Sequence, residues 1–293
     1  MALFRDDTDY TRRQEGFARY KQLMSFYGFH WLRINLLTTA GMLPLAAGIA
    51  FAILTSSLVV LLPASLLGGM LFGPFLAGLV DAIMRGLRDA PGNWWKNYRK
   101  SWRQNWKSSL LPGAALGFFL GLFAFMAHIM ASAVVSPTPG TVLMLLLSAS
   151  VVLWFHTLYW PQLVLFRQSA ANRVRNALLF TIKHSVRVLV AVLIQGVWIA
   201  LMVLLAPWTL IVLPFLGFWF PIFLAQFRLY ADLNRDLRIE EQFIAVEGDP
   251  WAKDSFEELS DEAEDAEPDP MNSGTRHWEA LLRDVEKNKE ARS

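Results

Sequence analysis

Three long stretches of this chain contain no Lys, Arg, Asp or Glu: Ile34 to Val80, Ser108 to Phe166, and Val188 to Phe227. Each exceeds the roughly 20 apolar residues that carry a helix across a bilayer. In lipid every backbone N–H and C=O must be satisfied within the protein, which leaves helices or closed barrels. Runs this long and this uniformly apolar do not alternate as barrel strands do. The chain therefore reads as a polytopic, all-α membrane helix bundle. Composition agrees: 54% of residues are hydrophobic, only 18% are charged, and the mean hydropathy is +0.34.

The runs divide at turn signals into six spans. These are Ile34–Leu54, Leu58–Asp81, Leu110–Val134, Val142–Phe166, Val186–Leu205 and Thr209–Leu229. The connections after the first, third and fifth are "TSS", "SPTPGT" and "APW", and none holds a cation. All the Lys and Arg lie before span one, in the connections after spans two and four, or around and after the end of span six. By the positive-inside rule this predicts a cell (inner or plasma) membrane protein with both termini cytoplasmic. The first apolar run follows Arg33 and is too long for a signal peptide's apolar core, so it is expected to stay as a span.

Charge divides the chain again. Residues 1–238 carry 21 Lys/Arg against 8 Asp/Glu, a net +13; residues 239–293 carry 6 against 17, a net −11. The expected domains are a cytoplasmic segment 1–33, a membrane domain 34–238, an acidic linker 239–275 and a short amphipathic helix 276–293. The linker has the composition of a disordered segment. In the last segment Trp278, Leu281, Leu282 and Val285 recur at helical spacing.

The stretch "GNWWKNYRKSWRQNWKSS", Gly92 to Ser109, is aromatic and cationic at once. Such a composition suits a site that stacks nucleic-acid bases, and equally a helix in a membrane interface. Read as a helix, it places Trp95, Tyr98, Trp102 and Trp106 on one stripe. Lys96, Lys100, Arg103 and Lys107 form another. Because the segment enters span three on the cation-rich side, the expected partner is a bilayer with anionic headgroups, and no nucleic acid is expected.

The inward-running spans share a pattern: "GPFLAGLVDAIMRGLRD", "WPQLVLFRQSAANRVRN" and "FPIFLAQFRLYADLNRD". Each has a proline (Pro74, Pro161, Pro221) followed by an apolar stretch and then charges. Two readings stand: kinked helices whose cations reach the interface, or three related hairpins. On either reading Asp81, Arg85, Arg167, Arg228 and Asp232 are expected at one depth, as a cytoplasmic polar cluster. The segment "LLGGMLFG" reads as a site of close helix packing.

Chemistry inside the spans is sparse. His128, His156 and Gln195 are the intramembrane polar candidates, with Asn35 and Gln162 near inner ends. A lone His in a span serves either function or a hydrogen bond to a neighbouring helix. There is no cysteine, so disulfides and thiolate chemistry are excluded. Neither a metal-binding spacing, a nucleophile elbow nor a phosphate loop occurs, so no cofactor, no metal and no enzymatic activity are expected.

The pieces "INLLTTAGMLPL", "GPFLAGLVDAIMRGLRD", "SWRQNWKSSLL" and "NRVRNALLFTIKHS" resemble the YesL family of bacterial integral membrane proteins, a domain family of unknown function. The resemblance covers residues 17–237. It implies a polytopic membrane protein often found beside carbohydrate uptake systems of the ABC type, and it supplies no catalytic residue. The function expected is that of a non-enzymatic accessory or regulator of a transport system, with a protein partner met through the cytoplasmic face and the acidic tail. The alternative is a stand-alone small transporter or channel.

Overall fold

The computed structural model describes residues 13–90, 92–132 and 136–247. Among these the regular structure is entirely helical. The helices are α1 (Gly16–Leu54), α2 (Leu58–Leu87), α3 (Trp94–Ala131), α4 (Pro139–Leu165), α5 (Ala170–Lys183), α6 (Ser185–Leu204), α7 (Thr209–Leu216), α8 (Trp219–Leu237) and α9 (Ile239–Glu247). The acidic linker beyond Glu247 and the amphipathic segment 276–293 lie outside the described residues, as do residues 1–12.

Helices start where side chains take over the orphan N–H groups of a first turn. Ser57 accepts from Val60 N, Asn93 from Trp95 N and Lys96 N, Thr138 from Thr141 N, and Ser169 from Asn172 N. Pro139 sits at the start of α4, where its missing N–H costs nothing.

Helices α1, α2, α3, α4 and α6 are each long and apolar enough to cross a membrane. The pair α7–α8, bent by 52° at a short break, makes a sixth if counted as one span. Large apolar side chains such as Leu143, Met144, Leu147, Val197 and Leu204 are exposed along these helices, as lipid-facing residues are. This is the architecture of a multi-pass membrane protein.

Two helices run well past their apolar stretch. α1, with 39 residues, is about 58 Å long at ~1.5 Å per residue, against ~30 Å of hydrocarbon. α3, with 38 residues, is nearly as long. Hence the tryptophan-rich segment is no separate helix. It is the first four turns of α3, in line with the apolar part.

α2 is the centre of the bundle, packed most extensively on α3 and then on α1. The α2–α3 seam is built from small residues every four positions: Ser65, Gly69 and Gly73 against Ser109, Gly113, Gly117 and Gly121. A Cβ added at Gly117 would lie 2.6 Å from the Gly69 Cα, and one at Gly113 would lie 2.8 Å from the Gly73 Cα. Backbones this close exclude any larger residue. "LLGGMLFG" supplies half of that seam.

Candidate functional site

Charged groups gather at one end of the bundle, in two networks. In the first, the C-terminal carbonyl of α2 at Leu87 accepts from Arg13 at 3.2 Å and from Arg19 at 3.1 Å. These cations cap an orphan acceptor at the negative end of a helix. Arg19 also pairs with Asp89 at 2.7 Å and donates to Gln22 at 2.8 Å. Arg13 reaches on to Glu240 at 2.8 Å, which also accepts from Tyr230 at 2.9 Å. The network thus ties the start of α1 and the end of α2 to α8 and α9. Partial burial opposes the Glu240 charge, yet the bonds from Arg13 and Tyr230 outweigh it and hold its pKa below the usual carboxylate value. Burial likewise opposes the Arg13 charge, and Glu240 and Asp89 overcome it, raising its pKa.

In the second network, buried Asp232 on α8 pairs with Arg187 and, at 2.8 Å, with Arg235. Asp236, one turn on, takes Lys183 at 2.6 Å and His184 at 2.8 Å. It clamps the α5–α6 corner to the end of α8.

Of the five residues expected as one cytoplasmic cluster, the structure unites only two. Asp81 and Arg85 pair at 2.8 Å along α2. Asp232 belongs to the α5–α6–α8 clamp. Arg167 and Arg228 are exposed and make no ion pair among the described residues. Depth in the span places the five at one level, but the directions in which the side chains leave α2 and α8 separate them, and Arg167 lies in the connection after α4. Sequence reasoning missed Arg19, Asp89, Arg187, Asp236 and Glu240. Their one sequence signal is position, at or just beyond helix ends, where charges meet orphan backbone groups.

The aromatic stripe of α3 divides. Tyr98 is buried against Gly78 of α2, and Trp102 meets Phe75 edge-on with ring centroids 6.2 Å apart. Trp95 and Trp106 stay exposed. Lys96, Lys100, Arg103 and Lys107 are exposed too, and lie opposite the α2-facing side. Lys107 covers the Trp106 ring at 5.5 Å. The stripe therefore mixes packing residues with a free aromatic and cationic surface.

Several polar groups within the spans are engaged with backbone or with each other, while Ser65 Oγ, Gln162 Oε1 and Gln226 Oε1 are buried without a hydrogen-bond partner among the described residues. A proline frees the carbonyl four residues before it, and here neighbours supply the missing donor. Pro161 frees the Thr157 carbonyl, which accepts from Gln226 of α8 at 2.7 Å. Pro221 frees the Gly217 carbonyl, which accepts from the Trp198 indole of α6 at 3.1 Å. Gln195 donates to the Thr157 hydroxyl at 2.5 Å. His156 accepts through Nδ1 from the Trp160 indole one turn along α4, so its own proton in the neutral form sits on Nε2. His128 makes no side-chain hydrogen bond among the described residues.

The break between α7 and α8 is filled by Asn35 of α1, which is fully buried. Its Nδ2 donates to the Leu213 and Pro214 carbonyls at 2.9 and 2.7 Å. Its Oδ1 accepts from Phe218 N and Trp219 N, each at 3.0 Å. Trp219 caps the Phe215 carbonyl with its own indole at 2.6 Å. One amide thus serves two acceptors, of which the Pro214 carbonyl has no other partner among the described residues, and two orphan donors.

Among the described residues no group of three or more His, Asp or Glu side chains is placed to hold a metal ion. Comparison with family models, with curated proteins and with solved structures gives no match for this chain.

Proposed function

We propose that the chain is a six-span protein of the cell membrane, with both termini cytoplasmic, that acts as a non-enzymatic accessory or regulator of a transport system. The observation that carries this reading is how the span interior uses its polar groups. Asn35, Gln195, His156, Trp198 and the Nε2 of Gln226 are spent on the backbone or on neighbouring side chains. No carboxylate lies deep in a described span, so a driving ion has no charged ligand there.

The six-span count takes the bent α7–α8 pair as one crossing. With six, every cation falls on one side. That side would also carry both ion-pair networks and the exposed Lys/Arg face of α3, which suits anionic headgroups and a protein partner. The link to carbohydrate uptake of the ABC type rests on the YesL resemblance.

A stand-alone transporter is the second reading, and the 52° break favours it. Transporters commonly build their substrate sites from broken helices. Against it, Asn35 already occupies the groups the break exposes.

The test is paired. Affinity purification from membranes in mild detergent should bring down a transporter subunit. That yield should fall when residues 248–293 are deleted, a cut that leaves α1–α9 whole. The purified chain in liposomes should pass neither sugar nor ion. Substrate-dependent flux from the chain alone would reverse the assignment in favour of the transporter.

A further inference from the structure

We infer that Arg173, at the start of α5, forms a binding site for the phosphodiester of a phospholipid headgroup. The inference rests on the chain being embedded in a membrane, and not on its accessory role.

Arg173 is 7% exposed, as buried as Arg19. Arg19 has a carboxylate at 2.7 Å, a glutamine oxygen and a helix-end carbonyl. Arg173 has none of these among the described residues. The guanidinium faces the Tyr159 ring, whose centroid is 5.8 Å from the guanidinium carbon. The Nε is sealed from solvent without a hydrogen-bond partner, while the two terminal nitrogens are not among the sealed atoms. The guanidinium is therefore sunk flank-on, with its fork left open at the surface. Arginine stays protonated under all relevant conditions. A buried cation without a partner is costly enough that folds normally supply an anion. Here the fold supplies none, and the open fork matches two oxygens of a phosphate.

The surroundings point the same way. The first turn of α5 contains no acidic residue, and its N-cap, Ser169, engages only the Asn172 amide. The remaining first-turn amides and the positive end of the helix dipole favour an anion. Arg167, before the helix, and Arg175, within it, are exposed and add positive charge to this part of the chain. The Tyr159 hydroxyl, on the ring that the guanidinium faces, makes no hydrogen bond among the described residues.

The choice of a lipid over a free anion comes from the rest of α5. Leu178, Leu179, Ile182 and, at the start of α6, Val186 are exposed, at 46, 55, 77 and 72%. Such an apolar face on a short cationic helix is that of an element lying against acyl chains. An anion bound at its N-terminal end then lies at headgroup depth.

The experiment uses the full chain in a maltoside detergent, which contains no phosphate. Thermal unfolding is followed while short-chain phosphatidylglycerol is added, with short-chain diacylglycerol as the phosphate-free control. The wild type should be stabilised by phosphatidylglycerol and not by diacylglycerol. Arg173→Met should need about tenfold more lipid or beyond, the size expected for loss of a charge-assisted hydrogen bond. Arg173→Lys should fall between them, since a point charge replaces the fork. Without lipid, Arg173→Met should unfold no earlier than wild type, because it removes an unpaired buried charge; this keeps the variant interpretable. Equal lipid stabilisation of wild type and Arg173→Met would overturn the site. So would an early-melting Arg173→Met in lipid-free detergent, which would mean that the charge is already compensated within the fold. Full stabilisation by millimolar inorganic phosphate alone would overturn the lipid as its occupant.

Discussion

Asn35→Ala is expected to destabilise the chain more than any other single truncation of a polar side chain in the spans. The magnitude follows from the four hydrogen bonds at the α7–α8 break. The Leu213 carbonyl keeps a second donor, Gly217 N at 2.9 Å. The Pro214 carbonyl, Phe218 N and Trp219 N keep no other partner among the described residues. A buried orphan group costs about 1–3 kcal/mol, while polar contacts measured within membranes average about 0.6 kcal/mol each. Three orphans between those limits give a loss of about 2–9 kcal/mol. At roughly 2–4 °C per kcal/mol, the melting temperature should fall by about 4 °C or more. Tryptophan fluorescence during heating in mild detergent reads it directly, since the chain has 12 tryptophans and Trp219 lies at the break. Asn35→Asp sharpens the test. The carboxylate can still accept from the two amides but cannot donate, and it faces two carbonyl oxygens. It should therefore be at least as damaging as alanine. A shift below about 2 °C for Asn35→Ala would refute the reasoning, because it would mean that the break satisfies itself.

The chain has no cysteine, so single cysteines at Ser56, Thr138 and Trp208 should react with an impermeant thiol reagent on intact cells, and ones at Lys100 and Ser169 should not; labelling at Lys100 from outside would break the six-span topology. Glu240 should make the α8–α9 contact acid-sensitive. Its folded pKa is depressed, so its stabilisation is present above the unfolded value of 4.5 and is lost as pH falls through the lower folded one. Acidification should therefore cost wild type about 1 kcal/mol more than Glu240→Gln, measured by unfolding at neutral and acid pH; parallel loss in both would reject this. Gln226→Leu should destabilise wild type but be neutral or stabilising beside Pro161→Ala, where a new N–H at position 161 serves the Thr157 carbonyl. A double-mutant cycle should give a coupling of about 1 kcal/mol, and strict additivity would disprove the proline–glutamine link.

Hydropathy made the helical membrane class legible, because long charge-free runs leave few alternatives. It located the α1–α2, α3–α4 and α6–α7 connections, where turn residues interrupt uniform apolarity. It could not locate helix ends within the cation-rich side. Arg33 marks where α1 ceases to be apolar, yet the helix continues back to Gly16. Tyr20, Tyr27 and Trp31 hold it there, Tyr20 and Trp31 against Phe223, with Tyr27 stacked on Trp31. The interruption of the sixth span was equally hidden. Pro214, Gly217 and Pro221 are the local hint, but such residues also occur in unbroken helices of this chain, such as α2 with Pro63 and Pro74. The break persists because Asn35 and Trp198, far away in sequence, satisfy it. Charge pairing failed for a related reason: a hydropathy profile gives depth and not azimuth, so it does not show that Arg228 leaves α8 on an exposed side or that Arg167 lies in the connection after α4.

The prolines of α4 and α8 give polar side chains in the spans a structural task. At Pro161 and at Pro221 the freed carbonyl is met by a side chain from another helix, Gln226 in one case and Trp198 in the other. Each pairing does two things at once. It removes an orphan acceptor from an apolar medium, and it adds a directional bond that fixes the register between two helices, since leucine against leucine in lipid specifies neither rotation nor sliding. α2 solves the same problem differently, by bringing its glycines against those of α3. Its register is then set by backbone shape, and its own proline, Pro74, lies one residue beyond the last glycine of that seam. An intramembrane amide in this chain is therefore first a register device. Groups that face outward without a partner, such as the α3 cations and the open fork of Arg173, are the ones left to meet something that the chain itself does not contain.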